Sequence, residues 1–165
     1  MKTLLLAMVL IPCMSIGQKI KKSEIDKFTK QKRVETSKEF LRDGLTNNAG
    51  VWIRSVDTAC FINLTGMNWA VGVVGPDDQA VFLLDNDETV TARSTEIQSY
   101  SISKYGNYYD HQYRISKQDL EKLAAHELKS VRRYTSKGYT DLDIKDRKKE
   151  ALKELSALFL AELNK

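Results

Sequence analysis

The feature that most constrains the fold is a series of strand-forming runs between residues 52 and 93, separated by very short turns. The predicted strands are residues 52–64, a run in which Trp69, Val71 and Val73 share one face, residues 80–84 and residues 89–93. One turn has Pro76 at its second position, where the fixed φ of proline fits. Because a parallel pair needs a crossover of a dozen or more residues, these runs predict an antiparallel meander.

The second half of the chain adds helices. Its predicted elements are a strand over residues 108–115, a helix from Ser116 to about His126, a hairpin of residues 131–135 and 139–144, and a helix over residues 146–163. Ser116 and Asp119 match a capping box, and Gly138 can supply the positive φ of a hairpin turn. The apolar residues of the last helix recur at helical spacing, which predicts one buried face.

Two segments are less regular. Residues 33–42 fit a strand slightly better than a short helix, and residues 94–107 have the Ser-, Tyr- and Gly-rich composition of a loop. Strands gathered before helices indicate the α+β class. We therefore expect a mostly antiparallel sheet (a meander, then β-α-β-β-α) with a long C-terminal amphipathic helix packed on it.

The N-terminus has the features of a secretory signal. A basic start at Lys2 precedes an apolar run over residues 3–11, and Ser15 and Gly17 place small residues where a signal peptidase reads. The run is shorter than the roughly 20 residues that span a bilayer, so the mature protein is not expected to be transmembrane. Cys13 leaves a lipid-anchored form as an alternative. We expect a signal peptide over residues 1–17, a polar basic lead-in over residues 18–30 and a single domain over residues 31–165.

The sequence offers few residues for chemistry. After cleavage Cys60 is the only cysteine, and its apolar neighbours predict a small buried side chain. The two histidines, His111 and His126, belong to no metal-ligand motif, and no phosphate-binding or nucleophile-elbow motif is present. His126 is placed to complement a helix C-terminus. No catalytic residue, metal or cofactor is predicted, and export disfavours nucleic acid as a partner.

Tyrosines are concentrated between residues 100 and 113. Tyrosine mixed with Ser, Gly and Asn makes adaptable binding surfaces, because its ring gives a large contact area with few rotatable bonds. We take Tyr105, Tyr108, Tyr109 and His111 as candidate binding residues. The alternative is that Tyr109 packs in the core as an ordinary strand residue.

The runs ISKQDLEKL (residues 115–123) and VRRYTSKGY (residues 131–139) resemble segments of a group of small exported Bacteroidetes proteins of unknown function. The start Phe28-Thr29-Lys30 and a signal ending before Gln18 are similar too, and the resemblance extends over residues 26–160. It implies export, and it carries no activity and no catalytic residues.

Three hypotheses about function follow. The first is a non-enzymatic interaction module of the bacterial envelope, periplasmic or extracellular, that binds an envelope protein or a glycan through the tyrosine-rich segment. The second is a carrier of a small apolar ligand between helix and sheet. The third is a hydrolase that uses His111 with a remote acid.

Cleavage of the predicted signal gives a mature protein that begins at Gln18. The intact mass of the protein from envelope and culture-medium fractions should equal that of residues 18–165. A cytosolic protein that retains Met1 would contradict export, and a lipid adduct on Cys13 would establish the anchored alternative.

Overall fold

The structure, a computed structural model, describes residues 20–69 and 72–165. Its strands are β1 (Ile20–Ile25), β2 (Lys32–Thr36), β3 (Glu39–Arg42), β4 (Asn48–Val56), β5 (Ala59–Met67), β6 (Gln79–Leu84), β7 (Thr89–Arg93), β8 (Ser101–Ser103), β9 (Gly106–Ile115), β10 (Leu128–Thr135) and β11 (Gly138–Asp143). The helices are α1 (Lys117–Ala125), a single 3-10 turn (Asp146–Lys148) and α2 (Ala151–Leu163). The predicted α+β class is confirmed.

The strands form one sheet in which the described pairs are antiparallel. Its order is β1-β2-β4-β5-β9-β7-β6-β10-β11, with β3 paired to β4 and β8 paired to β9. Strands β4–β5, β6–β7 and β10–β11 are hairpins. Strand β5, however, pairs with β9 rather than with β6, so the sheet differs from a simple meander.

The two faces of the sheet differ because side chains alternate along each strand. On the inner face, cross-strand rows such as Val51–Leu64–His111 and Ile53–Ile62–Tyr113 are fully buried. The outer face carries the alternate residues, which are mostly polar or aromatic and partly exposed. Whether a residue lies on the inner or the outer face therefore depends on its place in the alternation along the strand and on the strand register.

Helix α2 covers the inner face. Its buried side chains are Leu152, Leu155, Ser156, Phe159 and Leu160, and each large apolar one contributes about 1.5–3 kcal/mol when it leaves water. The helix packs on β2 and β4 near one end of the strand order and on β10 near the other. Such contacts require the sheet to wrap around α2.

Helix α1 begins as its sequence predicts. The Ser116 hydroxyl accepts a hydrogen bond from the Asp119 backbone N–H at 3.0 Å, and His126 is the C-cap. The His126 ring also bonds the Asp85 carboxylate at 3.0 Å, so it joins α1 to the β6–β7 turn. Gly138, with φ of 98°, begins β11 after the predicted hairpin turn.

Some segments differ from expectation. The expected lead-in, residues 18–30, contains edge strand β1, whose side chains are mostly exposed, so no hydrophobic alternation marks it. Residues 33–42 form strands, as the sequence favoured, but they form two of them, β2 and β3, rather than one. The loop expected over residues 94–107 includes the short strand β8. The final α-helix starts at Ala151 because the residues before it form the 3-10 turn.

Other predictions fall partly or wholly outside the described residues. The signal peptide, with Cys13, lies outside them. The strand predicted around Trp69, Val71 and Val73 includes residues 70 and 71, which are also outside; nearby, Val74 makes an isolated bridge with Gln98. Among the helices of the described residues, none combines the length and apolar character needed to cross a membrane.

Candidate binding site

Strand β9 separates the four candidate binding residues. Tyr105 lies in the turn between β8 and β9 and is 68% exposed, and Tyr108 lies on the outer face and is 39% exposed. Tyr109 and His111 point to the inner face, where they are 1% and 0% exposed. The prediction that Tyr109 and His111 line a binding surface is therefore corrected. Side chains alternate between the two faces along a strand, and both of these residues point to the buried face.

Three connections meet at the end of the sheet that carries Tyr105. Asn68, which follows β5, donates its backbone N–H to Asn107 O at 2.9 Å and accepts the Asn107 N–H at Oδ1, also at 2.9 Å. Its Nδ2 donates to Thr46 O at 2.6 Å. One side chain thereby ties the β3–β4 connection to the start of β9.

The backbone at this junction requires particular residues. Asn68 has φ of 57°, a left-handed conformation that Asn tolerates better than most residues. Gly106 has φ of 133°, and a Cβ there would lie 2.6 Å from Asn68 Nδ2. Glycine at residue 106 therefore allows the β8–β9 turn to approach Asn68, and the turn that carries Tyr105 has a defined position.

Large hydrophobic side chains are exposed around this junction. Leu45 is 96% exposed, Ile102 is 78% exposed, and Phe40 is 40% exposed. With Tyr105 and Tyr108 they make up more than half of the exposed large hydrophobic residues in the described chain. We call these five residues the loop-end surface; the registers place Phe40 and Tyr108 on the outer face of the sheet and Ile102, which pairs with Asn107, on the opposite face, so this surface extends around the end of the sheet.

Lysines accompany the aromatic rings of the loop-end surface. Lys38 Nζ lies 5.5 Å from the Phe40 ring centroid and 5.9 Å from that of Tyr108, so it bridges the two rings. Lys104 Nζ lies 4.8 Å from the Tyr105 ring centroid. Both lysines are exposed, so these cation–π contacts lie at the surface.

Tyr108 is held in place from the outer face. Its hydroxyl and the Thr65 hydroxyl are 3.0 Å apart, and both residues lie beside Asp110, whose carboxyl pKa is raised by burial. The sequence analysis missed Phe40, Leu45, Ile102 and Lys38. The β3–β4 register and the Asn68 contacts position Phe40, Leu45 and Lys38, and the β8–β9 hairpin positions Ile102.

Tyr109 belongs to a polar cluster on the inner face. Arg133, on β10, is fully buried, and its guanidinium carbon lies 4.1 Å from the Tyr109 ring centroid and 5.5 Å from that of Trp69. Burial lowers the pKa of Arg133 and raises the pKa of Tyr113 to about 12. Gly66 makes room for this cluster, since a Cβ there would meet the Tyr109 hydroxyl oxygen at 2.6 Å.

His111 lies beside this cluster as a neutral side chain. Its Nε2 is 2.9 Å from Ser99 O, and because a carbonyl only accepts, Nε2 carries the proton. Burial, aided by the nearby Arg133 charge, lowers the pKa of His111 to about 4. No described hydroxyl or carboxylate is hydrogen-bonded to the ring, so the arrangement is that of a core residue that holds the Ser99 segment against β9.

The remaining reactive side chains fit structural roles. Cys60 is 7% exposed, as predicted, and burial raises the pKa of its thiol. No cluster of three or more His, Cys, Asp or Glu side chains suited to a metal occurs in the described parts of the chain.

No protein-family model matches this sequence, and no curated protein or solved structure matches it either.

Titration of His111 should govern stability in mild acid. The pKa of His111 is lower in the folded protein than the 6.5 of an ordinary histidine. Its contribution to the free energy of unfolding is therefore complete above pH 6.5 and declines as the pH falls toward 4. The decline amounts to at most about 3 kcal/mol. Urea unfolding between pH 7 and 4.5 should show it.

Variants identify the group responsible. His111→Gln retains an N–H donor for Ser99 O and should lose most of this pH dependence, whereas His126→Gln should keep it. Identical pH profiles for His111→Gln and the wild-type protein would show that burial of His111 does not control the effect.

Proposed function

We propose that the protein is a non-enzymatic binding module of the bacterial envelope, exported by its N-terminal signal, and that the loop-end surface contacts a protein partner. The observation that carries the proposal is that Leu45 and Tyr105 are exposed on connections joined through Asn68, with Ile102 exposed on the adjoining strand β8. Scattered exposed hydrophobic residues are normal, but a cluster on a fixed support is typical of an interaction site.

The chemistry of the surface favours a polypeptide over a glycan. Aromatic rings can stack on sugars, but Leu45 and Ile102 are aliphatic and offer neither a ring face nor a hydrogen bond. Such side chains match the apolar centre of a protein interface, where aromatic and aliphatic residues lose contact with water. A protein partner therefore accounts for all five residues, and a glycan accounts for only three of them.

The positive charges at the loop end indicate which charge the partner presents at the rim of the interface. Lys38 and Lys104 are exposed beside the aromatic rings, and the Lys38 charge also partly offsets the burial that raises the pKa of Asp110. Opposite charges at an interface rim accelerate association and set orientation. The partner is accordingly expected to present carboxylates around an apolar centre.

The inner face favours neither of the other two hypotheses. Leu152, Leu155 and Phe159 of α2 are each at most 1% exposed and occupy the space between helix and sheet that an apolar ligand would need. His111 has its described hydrogen bond to a backbone carbonyl rather than to an acid or a nucleophile. The exposed apolar side chains of the loop end are what the interaction hypothesis explains best.

Photocrosslinking tests the proposal directly. With p-benzoylphenylalanine at Tyr105, irradiation of intact cells should attach a polypeptide to this protein and shift its mass on a denaturing gel. The matched control places the same residue at Tyr139, which is 59% exposed on β11, and should give at most one-tenth of the adduct.

Substitution tests the same surface without a reporter group. The partner identified by crosslinking is then recovered by pull-down without a crosslinker. Tyr105→Ala combined with Tyr108→Ala should reduce that recovery at least tenfold, while Tyr139→Ala should leave it unchanged. An adduct that is a glycan, equal adducts at Tyr105 and Tyr139, or full recovery with the double variant would each contradict the proposal.

A further inference from the structure

A second surface lies near the other end of β9, where this strand meets β7 and the start of α1. It is a groove of about 750 Å³ lined in part by Arg93, Arg114 and Lys117. The rise of ~3.3 Å per residue puts Arg114 about 20 Å from Tyr108 along β9. The groove is therefore separate from the loop-end surface.

Two arginines lie directly opposite each other in this groove. Arg93 and Arg114 form the pair that joins β7 to β9, and both side chains are exposed. Like charges directly opposite across two strands destabilise a sheet. Within the described chain, neither guanidinium has a hydrogen bond or an ion pair, so nothing there offsets their repulsion.

The groups around the two arginines are mainly cations and hydrogen-bond donors, with few anionic groups. Lys117 contributes a third cation, its Nζ 2.8 Å from Asn164 Oδ1, and Asp77 is the only carboxylate in the lining. The Thr58, Thr91 and Thr95 hydroxyls also line the groove and have no described partner. Since α1 begins at Lys117, the first backbone N–H groups of the helix lie at this edge, although Asp119 in the first turn offsets part of their positive charge.

The groove also has an apolar part. The partly exposed Leu163 belongs to its lining, together with the edges of the nearly buried Cys60 and Ile115. Its volume of about 750 Å³ lies within the range of small-molecule sites and exceeds what an inorganic anion fills. The groove is thus suited to a molecule with an anionic end and an apolar body.

We propose that this groove binds a phosphomonoester, with its phosphate between Arg93 and Arg114 and its organic body over Ile115 and Leu163. A guanidinium donates two parallel N–H bonds to a phosphate, and two facing guanidiniums can hold one dianion from both sides. Binding would replace the repulsion between the arginines with two attractive contacts. The proposal does not depend on the protein partner of the loop end.

Isothermal titration of residues 18–165 at low salt tests this inference with phenyl phosphate, inorganic phosphate and benzoate. Phenyl phosphate should bind at least tenfold more tightly than inorganic phosphate because its ring covers the apolar part. It should also bind more tightly than benzoate, which has one charge and no tetrahedral oxyanion. Equal affinity for phenyl phosphate and benzoate would overturn the phosphate assignment.

Two variants and a control locate the site. Arg93→Gln and Arg114→Gln should each weaken phenyl phosphate binding at least tenfold, whereas Lys137→Gln, in the exposed β10–β11 turn, should not change it. Without ligand, both arginine variants should melt at or above the wild-type temperature at low salt, because each removes a repulsion. Unchanged affinity or a lower melting temperature would overturn the proposal.

Vesicles distinguish a lipid headgroup from a small molecule. Flotation with vesicles of phosphatidylglycerol should recover little protein, and 1 mM phenyl phosphate should not alter that amount. Strong, Arg114-dependent flotation without phenyl phosphate binding would instead show that the arginines bind an anionic membrane surface.

Discussion

Strand β9 lies near the centre of the sheet and is held on both edges. It pairs with β5 from Cys60–Ile115 to Met67–Tyr108 on one side, and with β8 and then β7 on the other. This register decides which β9 residues meet the core and which meet solvent. A shift of one residue would exchange the two sets and place Tyr108 and Arg114 inside.

The inner residues of β9 give the core an unusual polar content. The rings of Tyr109 and Tyr113 bury well, but their hydroxyl groups also lose contact with water, and Arg133 brings a cation into the same region. An isolated buried charge is costly. The rings of Tyr109 and Trp69 face the guanidinium and recover part of that cost through cation–π contacts. His111 stays neutral beside Arg133, so the cluster carries one charge rather than two.

The outer residues of β9 connect the two proposed surfaces. Tyr108 contributes to the loop-end surface, and Arg114 faces Arg93 in the groove. Both surfaces combine apolar side chains with exposed basic groups, which suits acidic or anionic partners. Because a single strand orients both, the contacts that set its register also position the two surfaces relative to one another.

The sequence predicted the parts of this arrangement that local patterns encode. The Ser116–Asp119 cap, the turn at Gly138 and the amphipathic α2 depend on neighbours within a few residues and were confirmed. It missed features that depend on distant pairing. Strand β1 has no alternation, the loop-end cluster forms through Asn68, and Arg93 meets Arg114 only once β7 pairs with β9. The prediction of Tyr109 and His111 as binding residues was wrong for a similar reason, because composition does not show which face of a strand a residue occupies.

The register of β9 is open to direct measurement by NMR on labelled residues 18–165. Cross-strand nuclear Overhauser effects between backbone protons should join Thr65 to Asp110 and Ile62 to Tyr113, the opposed pairs of the structure. Effects that instead set Thr65 opposite Tyr109 or His111 would mean a one-residue shift. That result would reverse the two faces of β9 and contradict the account of both surfaces.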